Sequence, residues 1–181
     1  WKRQMRRALN KSQEAELEEL RGLLLARKVG VAGRTLWLGG TEISKVREAC
    51  QFNCAHLEIQ TVDDMVDALW LLLQGCGVGV TPKSGGISGF TQPILDIQII
   101  RSTRQDKNGR DGNLETGDPE TKVWTISVGD SAEAWAKSVG KLLAGKYAAD
   151  KLILDFSEIR PAGTRLTGYG WIGQGDETIS V

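Results

Sequence analysis

The side chains best suited to covalent, redox or metal chemistry in this 181-residue sequence are Cys50, Cys54, Cys76 and the single histidine, His56. Cys50-x3-Cys54 with His56 and Cys76 suggests zinc. Structural zinc sites, however, draw four ligands from tight, repeated cysteine or histidine pairs, and that pattern is missing here, so no metal is expected. Gly75-Cys76-Gly77-Val78-Gly79 has the small-residue content of a phosphate-binding loop. It follows a helical pattern and precedes a strand pattern, the reverse of the phosphate-loop order, and no Lys-Ser/Thr follows it. Cys54 and His56 as a nucleophile and base would lie two residues apart on one strand face with no evident oxyanion hole. On residue type alone, Cys54 reads as a small buried hydrophobe and His56 as a packed or surface strand residue.

The elements that must position these residues are legible as periodicities. Ser12 to Lys28 reads as an amphipathic helix, with Leu17, Leu20 and Leu24 on one face, acids early and bases late, as the helix dipole prefers. Arg34 to Leu38 reads as a short extended segment closed by Gly39-Gly40. Phe52 to Ile59 alternates as a half-buried strand that places Cys54, His56 and Glu58 on one face. Thr61 caps a helix from Val62 to Gln74, whose Asp63 and Asp64 serve its N-terminus. The glycine-rich segment to Thr81 then reads as a strand that lets something approach its backbone. Pro82 to Gly89 reads as a loop, Ile94 to Ile100 as a strand, and the polar stretch Arg101 to Lys122 as a hairpin tip or insertion. Val123 to Val128 and Lys151 to Phe156 read as strands flanking a helix that opens on Asp130-Ser131-Ala132-Glu133.

Composition narrows the function classes. Lys plus Arg and Asp plus Glu both total 23, and 40% of residues are apolar, the profile of a soluble globular protein rather than a basic nucleic-acid binder. The longest apolar runs are far too short for a membrane span, and no secretory leader pattern opens the chain. An odd cysteine number suits a reducing cytoplasmic setting. A sequence that starts at Trp1 and stops at Val181 is expected to be a piece of something longer.

Four motifs occur in a telling order: Gly33-Arg34-Thr35-Leu36-Trp37-Leu38-Gly39-Gly40-Thr41, Phe52-Asn53-Cys54, Gly75-Cys76-Gly77-Val78-Gly79-Val80 and Leu152-Ile153-Leu154-Asp155-Phe156-Ser157-Glu158-Ile159-Arg160-Pro161-Ala162-Gly163. Together they resemble the monomeric, adenosylcobalamin-dependent ribonucleoside-triphosphate reductases over roughly Glu16 to Asp176. Trp135, preceded by Glu133, matches a helix start of that family. After Gly168-Tyr169-Gly170 the chain departs from the small-residue run of the better-known members.

The resemblance implies an α/β fold: an N-terminal helical segment (1–33), the start of a ten-stranded α/β barrel (34–82), an α/β insertion that binds a deoxynucleotide effector (83–150), and a return to barrel strand and loop (151–181). It implies reduction of a ribonucleoside triphosphate by thiyl-radical chemistry, with a pair of cysteine thiols oxidised to a disulfide, since thiols deliver hydrogen and electrons reversibly. Cys54 matches the first cysteine of that pair. Asn53 and Gly77 match substrate-positioning residues, and Thr35 matches a phosphate- or substrate-contacting threonine. Adenosylcobalamin and a thioredoxin-like reductant serve the complete enzyme; no residue here is expected to contact the cobalamin. The radical-bearing cysteine and the second reducing cysteine lie downstream, so this segment alone should not turn over. Lys83, Arg101, Arg104, Lys107 and Arg110 could approach effector phosphates, or simply form a solvated face. The alternative is a non-catalytic nucleotide-binding module of the same fold.

Overall fold

Apolar and polar side chains alternate most cleanly at residues 123–128 and 151–156. In the computed structural model of the chain, which describes residues 8–91, 94, 96–105, 109–145, 148–166 and 172–176, these stretches form adjacent strands. The chain divides into two compact units, one of residues up to Ala55 together with Gln74–Gly77, the other of His56–Leu73 and Val78 onward.

The first unit is mostly helical. Helix α1 (Lys11–Leu25) is set by a capping box in which the Asn10 side chain accepts from the Gln13 amide while Gln13 reaches back to the Asn10 amide. Helix α2 (Gly33–Leu38) replaces the extended segment expected at Arg34 to Leu38. Its local bonds decide the matter: the Leu36 N–H donates to Ala32 O and the Gly39 N–H to Thr35 O. Helix α3 (Glu42–Val46), capped by Thr41, and a 3-10 turn (Glu48–Gln51) follow, both unanticipated. Leu38, Cys50 and Cys76 are buried in this unit.

Strand β1 (Cys54–Ile59), helix α4 (Val62–Leu73) and strand β2 (Gly77–Pro82) come next, and β1 pairs with β2. The bonds from Gly77 N–H to Asn53 O and from Lys83 N–H to Ile59 O progress in the same direction along both strands, so the pair is parallel. Asp64 and Thr61 cap α4 reciprocally. The Asp64 carboxylate accepts from the Gln60 and Thr61 amides, which hold it below the usual carboxylate range.

The second unit is built on a four-stranded sheet of order β3-β6-β5-β4. Strands β3 (Asp96–Ile100), β5 (Val123–Ser127) and β6 (Lys151–Asp155) run parallel, and β4 (Leu114–Asp118) lies antiparallel to β5. The polar stretch from Arg101 to Lys122 is thus a hairpin only in part, because it contains a strand of its own. Its tip is held by Asp118, which accepts from the Glu120 amide and the Thr121 hydroxyl. Strand β6, last in sequence, is inserted between β3 and β5. Its Leu152 and Leu154 join Trp124, Ile126, Val128, Phe156 and Ile159 in one buried cluster against Trp135 and Leu142 of helix α5 (Ala132–Ala144). Each such side chain removed from water contributes about 1.5–3 kcal/mol.

Helices α4 and α5 pack together, and the turn entering α5 is tight. The Gly129 N–H donates to Asn113 Oδ1, and a Cβ there would lie 2.6 Å from the backbone oxygens of both Asp111 and Gly112. Backbone cannot swing aside as a side chain can. Gly129→Ala should therefore destabilise the chain by about 2 kcal/mol, read as a lowered urea midpoint; an unchanged midpoint would mean that this turn relaxes freely.

Candidate functional site

Thr35, Asn53, Cys54 and Gly77 all lie in the first unit, whereas the motif at residues 152–163 lies in the second. After α3 the 3-10 turn buries Cys50 completely and delivers Phe52 and Asn53 to the start of β1, where Cys54 is exposed. The burial expected from its residue type is not found, and strand parity explains why. Ile59 is buried and Leu57 and Ala55 half-buried on one face, so Cys54, His56 and Glu58 take the outer one.

Asn53 and Gly77 face each other directly, with the Gly77 N–H donating to Asn53 O at 2.8 Å. One residue back, the buried Cys76 thiol donates to Phe52 O at 3.1 Å. Burial pushes that thiol up from its ordinary value, the Arg34 guanidinium only partly opposing it, so Cys76 stays protonated at neutral pH and is a poor nucleophile. Arg34 donates to Cys50 O at 3.4 Å, Gln74 O at 3.2 Å and Gly75 O at 2.7 Å.

The glycines here have distinct reasons. Gly75 has φ of +83°, a turn conformation that side chains disfavour. Gly77 has no such constraint, and a Cβ on it would meet only Asn53 O, at an ordinary 3.7 Å. Among the described residues nothing requires glycine at 77. Thr35 sits half-buried in α2, its carbonyl accepting from the Gly39 amide, and its neighbour Arg34 reaches Cys50 O, Gln74 O and Gly75 O next to the Asn53–Gly77 pair.

His56 is an exposed strand residue whose Nε2 lies 3.0 Å from Thr81 Oγ1. The cations considered for phosphate are engaged within the second unit. Arg104 bonds Glu158 at 2.7 Å, the Arg110 amide donates to the same carboxylate at 3.2 Å, and Arg101 lies 4.0 Å from Asp176. Lys83 donates to Gln60 Oε1, and Lys107 lies outside the described residues. The Arg110 amide and the Arg104 guanidinium hold the Glu158 carboxyl below its usual range. Among the described residues no group of three or more His, Cys, Asp or Glu could hold a metal ion, and no helix is long and apolar enough to cross a membrane.

Two features escaped sequence reasoning. One is the Arg34 fork, and the other is a buried ion pair in which Arg160 Nε donates to both carboxylate oxygens of Asp130, at 2.9 and 2.7 Å. Both join residues far apart in sequence, so neither leaves a local signal.

No protein-family profile matches the chain. An adenosylcobalamin-dependent ribonucleoside-triphosphate reductase of Lactobacillus helveticus is 24% identical over 199 residues, which cover 88% of this chain and 26% of that protein. The chain is similar to these reductases over most of its length. The namesake enzyme of Lactobacillus leichmannii is 24% identical over 92% of the chain and 27% of its own length, and that of Euglena gracilis 27% identical over 79% of the chain and 17% of its own. A crystal structure of a B12-dependent (class II) ribonucleotide reductase shares the fold, with a TM-score of 0.70 at 19% identity over 93% of this chain and 29% of that one. The chain therefore spans about a quarter of the length of the Lactobacillus reductases it matches.

Proposed function

We infer that the chain is part of a ribonucleotide reductase that converts ribonucleoside triphosphates to 2′-deoxyribonucleoside triphosphates, with Cys54 as one of its two reducing thiols. The observation that carries this reading is local. An exposed thiol opens β1 beside the Asn53–Gly77 backbone pair, and Gly77 is a glycine that the described residues around it do not need. The similarity to reductases over most of the chain supports it.

In the net reaction the ribose loses its 2′ hydroxyl as water, two thiols each give up a hydrogen, and their sulfurs join in a disulfide. A thiyl radical borne on a cysteine elsewhere takes the 3′ hydrogen and later returns it. Within this chain Cys54 supplies one of the two reducing hydrogens. Asn53 and the bare backbone at Gly77 hold the sugar against it, and Thr35 contacts substrate or phosphate. Adenosylcobalamin supplies the radical when bound to the full-length enzyme. Buried polar side chains such as Ser44, Asp130 and Ser138 bond within the chain, and none of them is assigned a contact to the cofactor. Residues 83–150 serve as the effector-binding region, a thioredoxin-like protein re-reduces the disulfide, and the enzyme is cytoplasmic. The non-catalytic alternative is not favoured, because the relatives are named as reductases.

The test is product formation by the full-length protein with ribonucleoside triphosphate, adenosylcobalamin and a dithiol, for the native sequence and for Gly77→Ala. The added methyl fits the fold, so stability should move by no more than about 0.5 kcal/mol, while KM should rise roughly tenfold as the methyl meets substrate. No deoxynucleotide from the native protein would overturn the function; an unchanged KM in the variant would overturn the role of Gly77.

A further inference from the structure

Two chain segments meet where Cys54 begins its strand, and three bridges lace them together. The Gly77 amide reaches Asn53 O, the Cys76 thiol reaches Phe52 O, and the Arg34 guanidinium reaches Cys50 O on one segment and Gln74 O and Gly75 O on the other. The first two bridges lie within the paired segments themselves. Arg34 alone comes from outside, on α2, and it touches both sides.

Its geometry suits the task. Nη1 donates to Cys50 O and Gln74 O, and Nη2 to Gly75 O, so one rigid plane spans three carbonyls whose dipoles all point at a positive charge. A lysine could satisfy at most part of that set, because its donors radiate from a single point. Arg34 also lies close enough to Cys76 for its charge to be felt by the thiol, which places the guanidinium beside the second bridge as well.

We propose that Arg34 is the positioning residue for Cys54: its guanidinium clamps the segments 50–53 and 74–77 together and so fixes the Cys54 thiol against the backbone of Gly77. Its meaning for turnover rests on Cys54 being a reductant; the clamp itself does not.

The experiment uses the full-length protein, with Arg34→Met and Arg34→Lys, and Leu36→Ala on the exposed face of α2 as control. Amide hydrogen exchange and iodoacetamide labelling report on the clamp without any turnover. In Arg34→Met the Gly77 amide and the buried Cys50 and Cys76 thiols should react at least about tenfold faster, while the Val128 amide, bonded to Asp155 O in the second unit, keeps its native rate. Arg34→Lys should fall between, and it decides the matter if the methionine variant does not fold. Turnover should drop at least about tenfold in kcat with KM within twofold, and Leu36→Ala should match the native protein throughout. Unchanged Gly77 and Cys76 protection overturns the proposal, as does a uniform loss of protection that includes Val128, which would make Arg34 a general stabiliser. If Cys54→Ser turns over normally, the reductant reading fails, and the exchange data still decide the clamp.

Discussion

Cys54→Ser in the full-length protein is expected to lose multiple turnover by about a thousandfold or more, a barrier increase of about 4 kcal/mol, with no change in thermal stability. The stability half follows from exposure: Cys54 opens β1 on its outer face, so trading sulfur for oxygen removes no packed contact. The activity half follows from chemistry. A serine hydroxyl neither gives up its hydrogen to a carbon radical readily nor closes a disulfide, so the dehydrated sugar is left unreduced. Steady-state deoxynucleotide production with a dithiol in excess measures the first half and a thermal melt the second. Turnover within tenfold of native would refute the assignment of Cys54. Cys50→Ser and Cys76→Ser serve as internal contrasts. Both thiols are buried, so these substitutions should act through stability rather than chemistry.

Arg160→Met should produce the largest loss of stability, about 3 kcal/mol, because it strands the Asp130 carboxylate in a buried position. Asp130 is only 7% exposed, and Arg160 grips it through both carboxylate oxygens and, with Nη2, through its backbone carbonyl. Burial pushes the Asp130 carboxyl above its ordinary value even with Arg160 in place, the guanidinium only opposing that shift. Raised in the folded state, this carboxyl favours folding fully below its unfolded value and loses that contribution as pH rises through its folded value. Removing Arg160 lifts the folded value further. The gap between Arg160→Met and native in urea midpoint should therefore be widest near neutral pH and narrow toward pH 4, where Asp130 takes up a proton. Glu158 acts in the opposite sense: held low by the Arg110 amide and Arg104, it stabilises above its unfolded value, and that support is lost as pH falls through its folded value. A gap of equal size at both pH values would show that Asp130 is not the group left stranded.

How much of this could be read beforehand depended on the range of the interaction. Helices α1, α4 and α5 and strands β5 and β6 announce themselves through periodicity, and α4 and α5 also through caps, because Thr61 with Asp64 and Ser131 with Ala134 act over three residues; the Asn10–Gln13 box of α1 came only from the structure. Residues 33–38 misled because Thr35 and Trp37 are strand-favouring and six residues show no helical period; their helical bonds prevailed over propensity. Cys54 was read as buried from its type, while its parity in β1 only grouped it with His56 and Glu58 on one face; that face is the outer one, because the strand buries the face that carries Ile59. Arg34 and Arg160 were invisible for the opposite reason: each acts across long sequence separations, and nothing near either residue predicts its partners.

The placement of β6 between β3 and β5 has a consequence for how the polypeptide is made. Strand β3 leaves the ribosome with Ile97, Ile99 and Ile100 and no neighbour in the sheet, because the strand that pairs with it follows about 50 residues later. At roughly 5–20 residues per second, that is a delay of about 3–10 s during which an apolar strand waits with both edges open. A nascent chain arrested before residue 151 should accordingly recruit chaperones, and one released beyond residue 156 should not.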